Sequence, residues 1–250
     1  MKMKYSWIVL FLFLVEVSMA QNFKQSQLNY LRVKEAYAEK EQFLLNLYKS
    51  KGFLSLKNEL FLRAFKKEEI LEIWAKNLKT NKFELLVTYK FCANSGVLGP
   101  KRKEGDLQIP EGFYYINLFH PSSAYHLGLK INYPNESDKI LSDKKRPGSD
   151  ILIHGNCCTI GCIPITDDKI KELYILCVEA KNAGQEKIPV HIFPCRLDAA
   201  NYNVLISEFN FDTKKLEFWK NLKPIYDFFV ENSQIPQVKV DNFGKYFIQK

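Results

Sequence analysis

One imidazole and one thiol stand eight positions apart in the stretch Asp150 to Asp168, D-I-L-I-H-G-N-C-C-T-I-G-C-I-P-I-T-D-D. A thiol is an effective nucleophile near neutral pH only as its thiolate, and a neighbouring imidazole can take the proton. His154 ends an aliphatic run, Ile151 to Ile153, and Cys162 leads a second one, Ile163 to Ile165. If the two runs are neighbouring strands, the pair comes within hydrogen-bonding reach. Gly155 allows a tight turn that leaves its carbonyl free to orient the imidazole, and Gly161 allows a close approach just before the thiol. The N–H groups of Gly161 and Cys162 are then candidates to face a developing oxyanion. This is the chemistry of acyl transfer through a thioester.

Three other readings compete for the same residues. His154, Cys157, Cys158 and Cys162 are numerous enough to hold a metal. Adjacent cysteines point apart, however, and the usual C-x2-C spacing is missing, so no metal and no cofactor is expected. Structural thiols around a buried histidine are the bland alternative. A bridge from Cys157 or Cys158 to Cys162 would be an oxidised, inhibited form. Cys92, Cys177 and Cys195 lie in apolar runs and read as buried structural thiols, with Cys92–Cys195 or Cys177–Cys195 as the disulfide options.

The elements that must position the pair follow from periodicity. Ser26 to Ser50 carries Tyr30, Val33, Tyr37, Leu44, Leu47 and Tyr48 at near-helical spacing, with Gly52 as the stop. Phe61–Phe65, Ile70–Trp74 and Phe83–Phe91 are short β-rich runs at hairpin spacing, which favours an antiparallel meander over a helix at Glu68–Ala75. Further strands are expected over Phe113–Phe119, Tyr125–Ile131 and Val190–Phe193. The intervening stretches 94–112 and 133–148 are long loops, and long loops in a compact domain usually serve a site. Asp167 to Ala183 is a helix capped by Thr166 or Asp167 and ended by Gly184. Phe211 to Asn232 is an amphipathic, helical tail around Pro224.

The chain has 250 residues, 26% charged and 14% aromatic, with a formal net charge of +8. Its basic triplets, Lys101–Lys103 and Lys144–Arg146, are not interleaved with aromatics, which argues against nucleic acid as a partner. An anionic envelope surface fits better. Lys2 and Lys4, the apolar run Trp7–Val15 and the small-x-small pattern Ser18-Met19-Ala20 read as a secretory signal peptide over residues 1–20. The run is short of the roughly 20 residues that span a bilayer, so no stable membrane insertion is expected after cleavage.

His154-Gly155 followed by Thr159-Ile160-Gly161-Cys162 resembles the H-G…[S/T]-x-G-C motif of YkuD-type L,D-transpeptidase catalytic domains. The resemblance to the YafK-like subgroup extends over most of the mature chain. It rests on Ser95-Gly96-x-Leu98-Gly99-Pro100-Lys101, Glu104-Gly105-Asp106-x-Gln108-x-Pro110-Glu111-Gly112, Tyr133-Pro134-Asn135, His191-Ile192-Phe193-Pro194 and Phe218-Trp219-x-Asn221-Leu222. It implies an α+β, mainly β fold, an L,D-transpeptidase-like β-sandwich with an N-terminal helix and a C-terminal helical tail. It also implies Cys162 as nucleophile, His154 as proton donor and acceptor, and Gly155 as the carbonyl that orients His154. The implied substrate is the peptide stem of peptidoglycan, with the thioester passed to an amine or to water. The subgroup is associated with release of an outer-membrane lipoprotein from the wall. Gly161, Thr159, Asn156 and His126 are the candidate substrate-binding residues. Thr159 stands where serine is commoner, and Pro164 where typical YkuD domains carry arginine.

The expected organisation is therefore a signal peptide at 1–20, a helical extension at 21–57, a catalytic domain at 58–196 and a helical tail at 197–250. The expected protein is an exported, periplasmic or envelope enzyme of wall remodelling. A non-catalytic peptidoglycan-binding protein of the same fold is the alternative.

Overall fold

A computed structural model describes residues 23–249. The expected signal peptide lies outside the described residues. After a helical turn over 23–27, helix α1 (Leu31–Ser50) buries Val33, Ala36, Tyr37, Leu44 and Tyr48 on one face. The helix expected from Ser26 is broken because Tyr30 is extended, with φ −91° and ψ 130°, and serves as the N-cap.

Strands β1 (Leu60–Phe65), β2 (Ile70–Asn77) and β3 (Lys82–Lys90) form the anticipated meander. They are followed by β4 (Gly112–His120), β5 (Gly128–Ile131), a short helix α2 (Glu136–Leu141), β6 (Leu152–His154) and β7 (Ile163–Pro164). Helix α3 (Asp167–Asn182), β8 (Ile188–Phe193), α4 (Ala199–Glu208) and α5 (Thr213–Asn232) complete the body. Thr166 caps α3, its hydroxyl accepting from Lys169 N–H.

The sandwich takes the form of one curled, mixed sheet in the order β3-β2-β1-β8-β4-β5-β6-β7, with helices against both faces. Alternation divides the strands between those faces. Leu60, Leu62, Ala64, Val190, Ile192, Leu129, Ile131, Ile153 and Ile163 join α1 and α3 in the main core. Phe61, Phe65 and Phe193 face the other way, toward Trp219, Tyr226 and Phe229 of α5. Central strand β1 is buried along its whole length, so even Arg63 is enclosed there. Its guanidinium pairs with Glu72 on β2 at 2.9 Å and lies within about 5 Å of the rings of Phe65, Trp74 and Phe229. A buried charge is tolerated when it is paired and hydrogen-bonded in this way.

Other elements depart from expectation as well: the strand expected over Tyr125–Ile131 begins only at Gly128. The stretch 133–148 is not all loop, since Asn135 and Asp138 form a reciprocal capping box that nucleates α2. The C-terminal tail is not all helix. Residues after α5 form an antiparallel ribbon of β9 (Val238–Val240) and β10 (Tyr246–Ile248), which packs Tyr246 into the cluster under α5.

The loop at 94–112 is fixed by a buried ion pair. Lys66 Nζ lies 3.0 Å from Glu111 Oε1, and both side chains are almost fully enclosed. The ammonium also donates to the carbonyls of Val97, Gly99 and Ile109 at 2.8–2.9 Å. Glu111 in turn accepts from Gly99 N–H and from Trp219 Nε1–H, both at 2.7 Å. Burial pulls the Lys66 pKa down and the Glu111 carboxylate pulls it back. One cation thus gathers three turns of an otherwise irregular loop onto the end of β1.

Candidate active site

Strands β6 and β7 are parallel neighbours at one edge of the sheet, with Ile153 opposite Ile163 and His154 opposite Pro164. The two isoleucines anchor both strands in the core at zero exposure. From strand spacing and rise, the α-carbons of His154 and Cys162 stand about 8 Å apart on a diagonal.

His154 is buried, and its Nδ1 approaches the Gly155 carbonyl within hydrogen-bonding distance. A carbonyl can only accept, so the proton belongs on Nδ1 and Nε2 is left as the basic lone pair. Burial holds the His154 pKa below its ordinary value, with the Gly155 carbonyl opposing. Tyr125 stacks on the ring, centroids 4.6 Å apart and planes 30° from parallel. Burial raises the Cys162 pKa, while the Leu152 N–H and the charge of Lys101 lower it. Its sulfur accepts from Leu152 N–H at 3.4 Å and lies 3.6 Å from Asp150 O. These directions favour a neutral thiol and a neutral imidazole near pH 7, and no hydrogen bond joins the two side chains in this structure. Apo geometries of this kind commonly tighten when substrate is bound.

The loop between the strands is held at several points. A Cβ at Gly155 would fall 2.5 Å from Asp167 Oδ1 and 3.1 Å from His126 Cβ, so only glycine fits without movement. Asn156, at φ 55°, donates its N–H to the same Asp167 carboxylate at 2.7 Å. At Gly161, φ is 139° and a Cβ would meet Gln108 O at 2.9 Å. Thr159 Oγ1 donates to Cys162 O at 2.8 Å and accepts from Gly161 N–H at 3.0 Å. That last bond changes one expectation: the Gly161 N–H already has a partner, which leaves the Cys162 N–H as the candidate oxyanion donor.

The disulfide is the other correction. Cys92 is bonded to Cys157, across 65 positions. None of the pairings considered from sequence forms, because Cys92 follows β3 and its N–H bonds to Pro164 O on β7, which brings it against the site loop. Cys158 is exposed and free, Cys162 is free, and Cys177 and Cys195 are buried and unpaired. With Cys157 bonded it offers no thiolate, and among the described residues no three His, Cys, Asp or Glu side chains come together as ligands. A 65-residue span suggests roughly 4 kcal/mol from loop-closure entropy, and measured bridges give about 2–4 kcal/mol. Cys92→Ser with Cys157→Ser is expected to lose about that much stability, read by urea unfolding, and to lower turnover by freeing the 156–161 loop.

His126 enters the site by its backbone as well as its ring. Arg32 on α1 donates to Ser123 O at 2.5 Å and to His126 O at 2.6 Å, clamping the turn that carries Tyr125 over His154. His126 Nε2 is buried without a partner, and burial lowers its pKa. Arg32, Tyr125, Gln108 and Lys66 were not legible as site residues, since each acts from 29 to 94 positions away from the residue it serves. Asp167 was visible as a helix cap and in the Thr166-Asp167 resemblance, not as the partner of Asn156 N–H. Two cavities, of about 510 and 850 Å³, open elsewhere, and neither is lined by Cys162 or His154.

A family model for the L,D-transpeptidase catalytic domain, YkuD, matches residues 66–192. Curated relatives named "Putative L,D-transpeptidase YafK", from Escherichia coli strain K12 and from Escherichia coli O157:H7, are each 35% identical over 193 residues, 76% of this chain and 74% of theirs. A solved structure of the helical cell shape determining protein Pgp2 from Campylobacter jejuni is 19% identical over 74% of each chain, with a TM-score of 0.45. Bd1075 of Bdellovibrio bacteriovorus is 20% identical over 68% of this chain and 60% of its own, with a TM-score of 0.40. Among the described residues no helix is long and apolar enough to cross a membrane. On the family match and the identity to its relatives, the chain belongs to the YkuD family of L,D-transpeptidase catalytic domains, a family of peptidoglycan-modifying enzymes.

Proposed function

We propose that the protein is an exported cysteine acyl-transfer enzyme that attacks an amide in peptidoglycan stem peptides. The observation that carries this reading is the contact of His154 Nδ1 with the Gly155 carbonyl, which leaves Nε2 as a base on the strand beside Cys162. In the first step His154 Nε2 takes the Cys162 thiol proton as sulfur bonds to the amide carbon. The Cys162 N–H receives the oxyanion. The C–N bond then breaks, and the departing amine takes the proton from the imidazolium, leaving a thioester on Cys162. In the second step His154 removes a proton from water or from an amine, the new bond forms at the acyl carbon, and the thiol is restored. Water as acceptor gives cleavage, including release of a wall-attached lipoprotein; an amine gives cross-linking. Gly161 and Thr159 shape the loop ahead of the sulfur, and Asn156 and His126 flank the imidazole side.

The test is intact-mass spectrometry after brief incubation with purified muropeptides. A hydroxylamine-sensitive adduct on Cys162, equal to the donor less its leaving amine, is expected, and the released products distinguish water from amine. Absence of both adduct and product would refute the reading. Retained binding to the wall without turnover would favour a non-catalytic binding protein instead.

A further inference from the structure

The face of the sheet that α5 covers over β1, β2 and β8 is open over β4 and β5. A groove of about 850 Å³ lies there, with Tyr115, Asn117, Lys130 and Asn132 along its floor and the ribbon segment of β9 as one wall. Its charge is one-sided. Lys130, Lys139, Lys187 and Lys239 line it against a single carboxylate, Glu136. Lys130 pairs with Asp150, whereas the other three lysines make no ion pair among the described residues. Lys187 Nζ lies 4.8 Å from the centroid of Tyr115, which holds one ammonium over the floor.

The groove shares its face with the active site. Lys130 alternates with the core residues Leu129 and Ile131, and Leu152 and His154 alternate with Ile153. Lys130 and Leu152 are register partners, and Leu152 N–H is bonded to Cys162 Sγ. At about 4.8 Å per strand, Lys130 stands roughly 10 Å from Cys162 and the β8 end of the groove roughly 19 Å. An extended chain needs about six residues to cover the longer distance. What occupies the far end is therefore not the pair of residues flanking the attacked bond but a more remote part of the same chain.

We propose that this groove is a second binding subsite for a carboxylate-bearing peptide portion of the wall polymer whose nearer end is attacked at Cys162. Lysines meet the carboxylates, Asn117 offers a paired donor and acceptor to an amide, and Asn132, whose Oδ1 accepts from Tyr115 N–H at 2.8 Å, offers its side-chain N–H groups. The identity of the polymer rests on the proposed reaction, and the demand for a carboxylated chain rests on the groove.

The experiment separates the two. Binding to purified sacculi is measured by co-sedimentation with Cys162→Ala protein, and again with Lys187→Glu and Lys239→Glu added, two exposed positions where folding is checked by thermal melting. A parallel set uses sacculi whose carboxyls are amidated with carbodiimide and ammonia. Charge reversal and amidation are each expected to weaken binding about tenfold, as two exposed ion pairs become repulsive or vanish. In the Cys162 protein the same reversals should raise KM for sacculi while leaving acylation by a short soluble stem peptide unchanged. Unaltered binding after either change overturns the subsite, as does equal competition by polyphosphate and by a carboxylated peptide. If Cys162 is never acylated while binding remains carboxylate-dependent, the proposed reaction fails and the groove stands.

Discussion

Cys162→Ala is expected to abolish turnover of muropeptides, by roughly 10^4- to 10^6-fold, the scale on which a covalent nucleophile is missed. His154→Gln should cost about 10^2- to 10^4-fold, the range for a general base. The pH profile is the sharper check. Burial sets the imidazole pKa below 6.5 and the thiol pKa above 9.0, so between those values the proton stays on sulfur. kcat/KM should therefore rise as His154 loses its proton below pH 6.5, and stay level up to about pH 9. A preformed thiolate–imidazolium pair requires the opposite order of pKa values. It would show as alkylation of Cys162 by iodoacetamide that is already maximal below pH 7, measured in Cys158→Ser protein to remove the exposed thiol. The expected result is alkylation that climbs past pH 9.

The second large effect is on stability. Lys66→Met removes the ammonium, leaves Glu111 charged and buried, and strips the carbonyls of Val97, Gly99 and Ile109 of their donor. Breaking one side of such a pair costs about 3–5 kcal/mol. For a chain of this length that lowers the melting temperature by roughly 10 °C. Lys220→Met, at an exposed position, should be neutral. The double change Lys66→Met with Glu111→Leu should recover part of the loss, because no charge is then stranded. If the single variant melts with the parent protein, the pair is not what holds the loop. Activity should fall as well at temperatures where the variant is folded, because the loop presents Gln108 O to Gly161, next to Cys162.

What was legible in the sequence is what local pattern determines. Short β-rich runs at hairpin spacing announced β1, β2 and β3, a cap and an apolar face announced α3, and reactive side chains around glycines drew attention to His154 and Cys162. Pairings across distance were not legible. β1 lies parallel to β8 some 128 positions away, and that pairing splits the meander from β4–β7. Cys92 meets Cys157 across 65 positions, with its N–H bonded to Pro164 O on β7. Arg32 reads as one more surface charge on a helix until the turn at 123–126 is brought to it. Helix α2 is six residues long and depends on its capping box, so periodicity had too little to work on. The ribbon of β9 and β10 has three residues per strand, below the length at which alternation is informative.

The Trp219–Glu111 bond also bears on the order in which the molecule is made. During synthesis His154 and Cys162 leave the ribosome well before Trp219 does. Until α5 arrives, Glu111 lacks its indole donor, and the phenylalanines of β1 and β8 lack the helix that covers them. A chain stopped short of residue 213 would carry both His154 and Cys162 and still leave the buried Glu111 short of a donor and the phenylalanine face of β1 and β8 open to solvent.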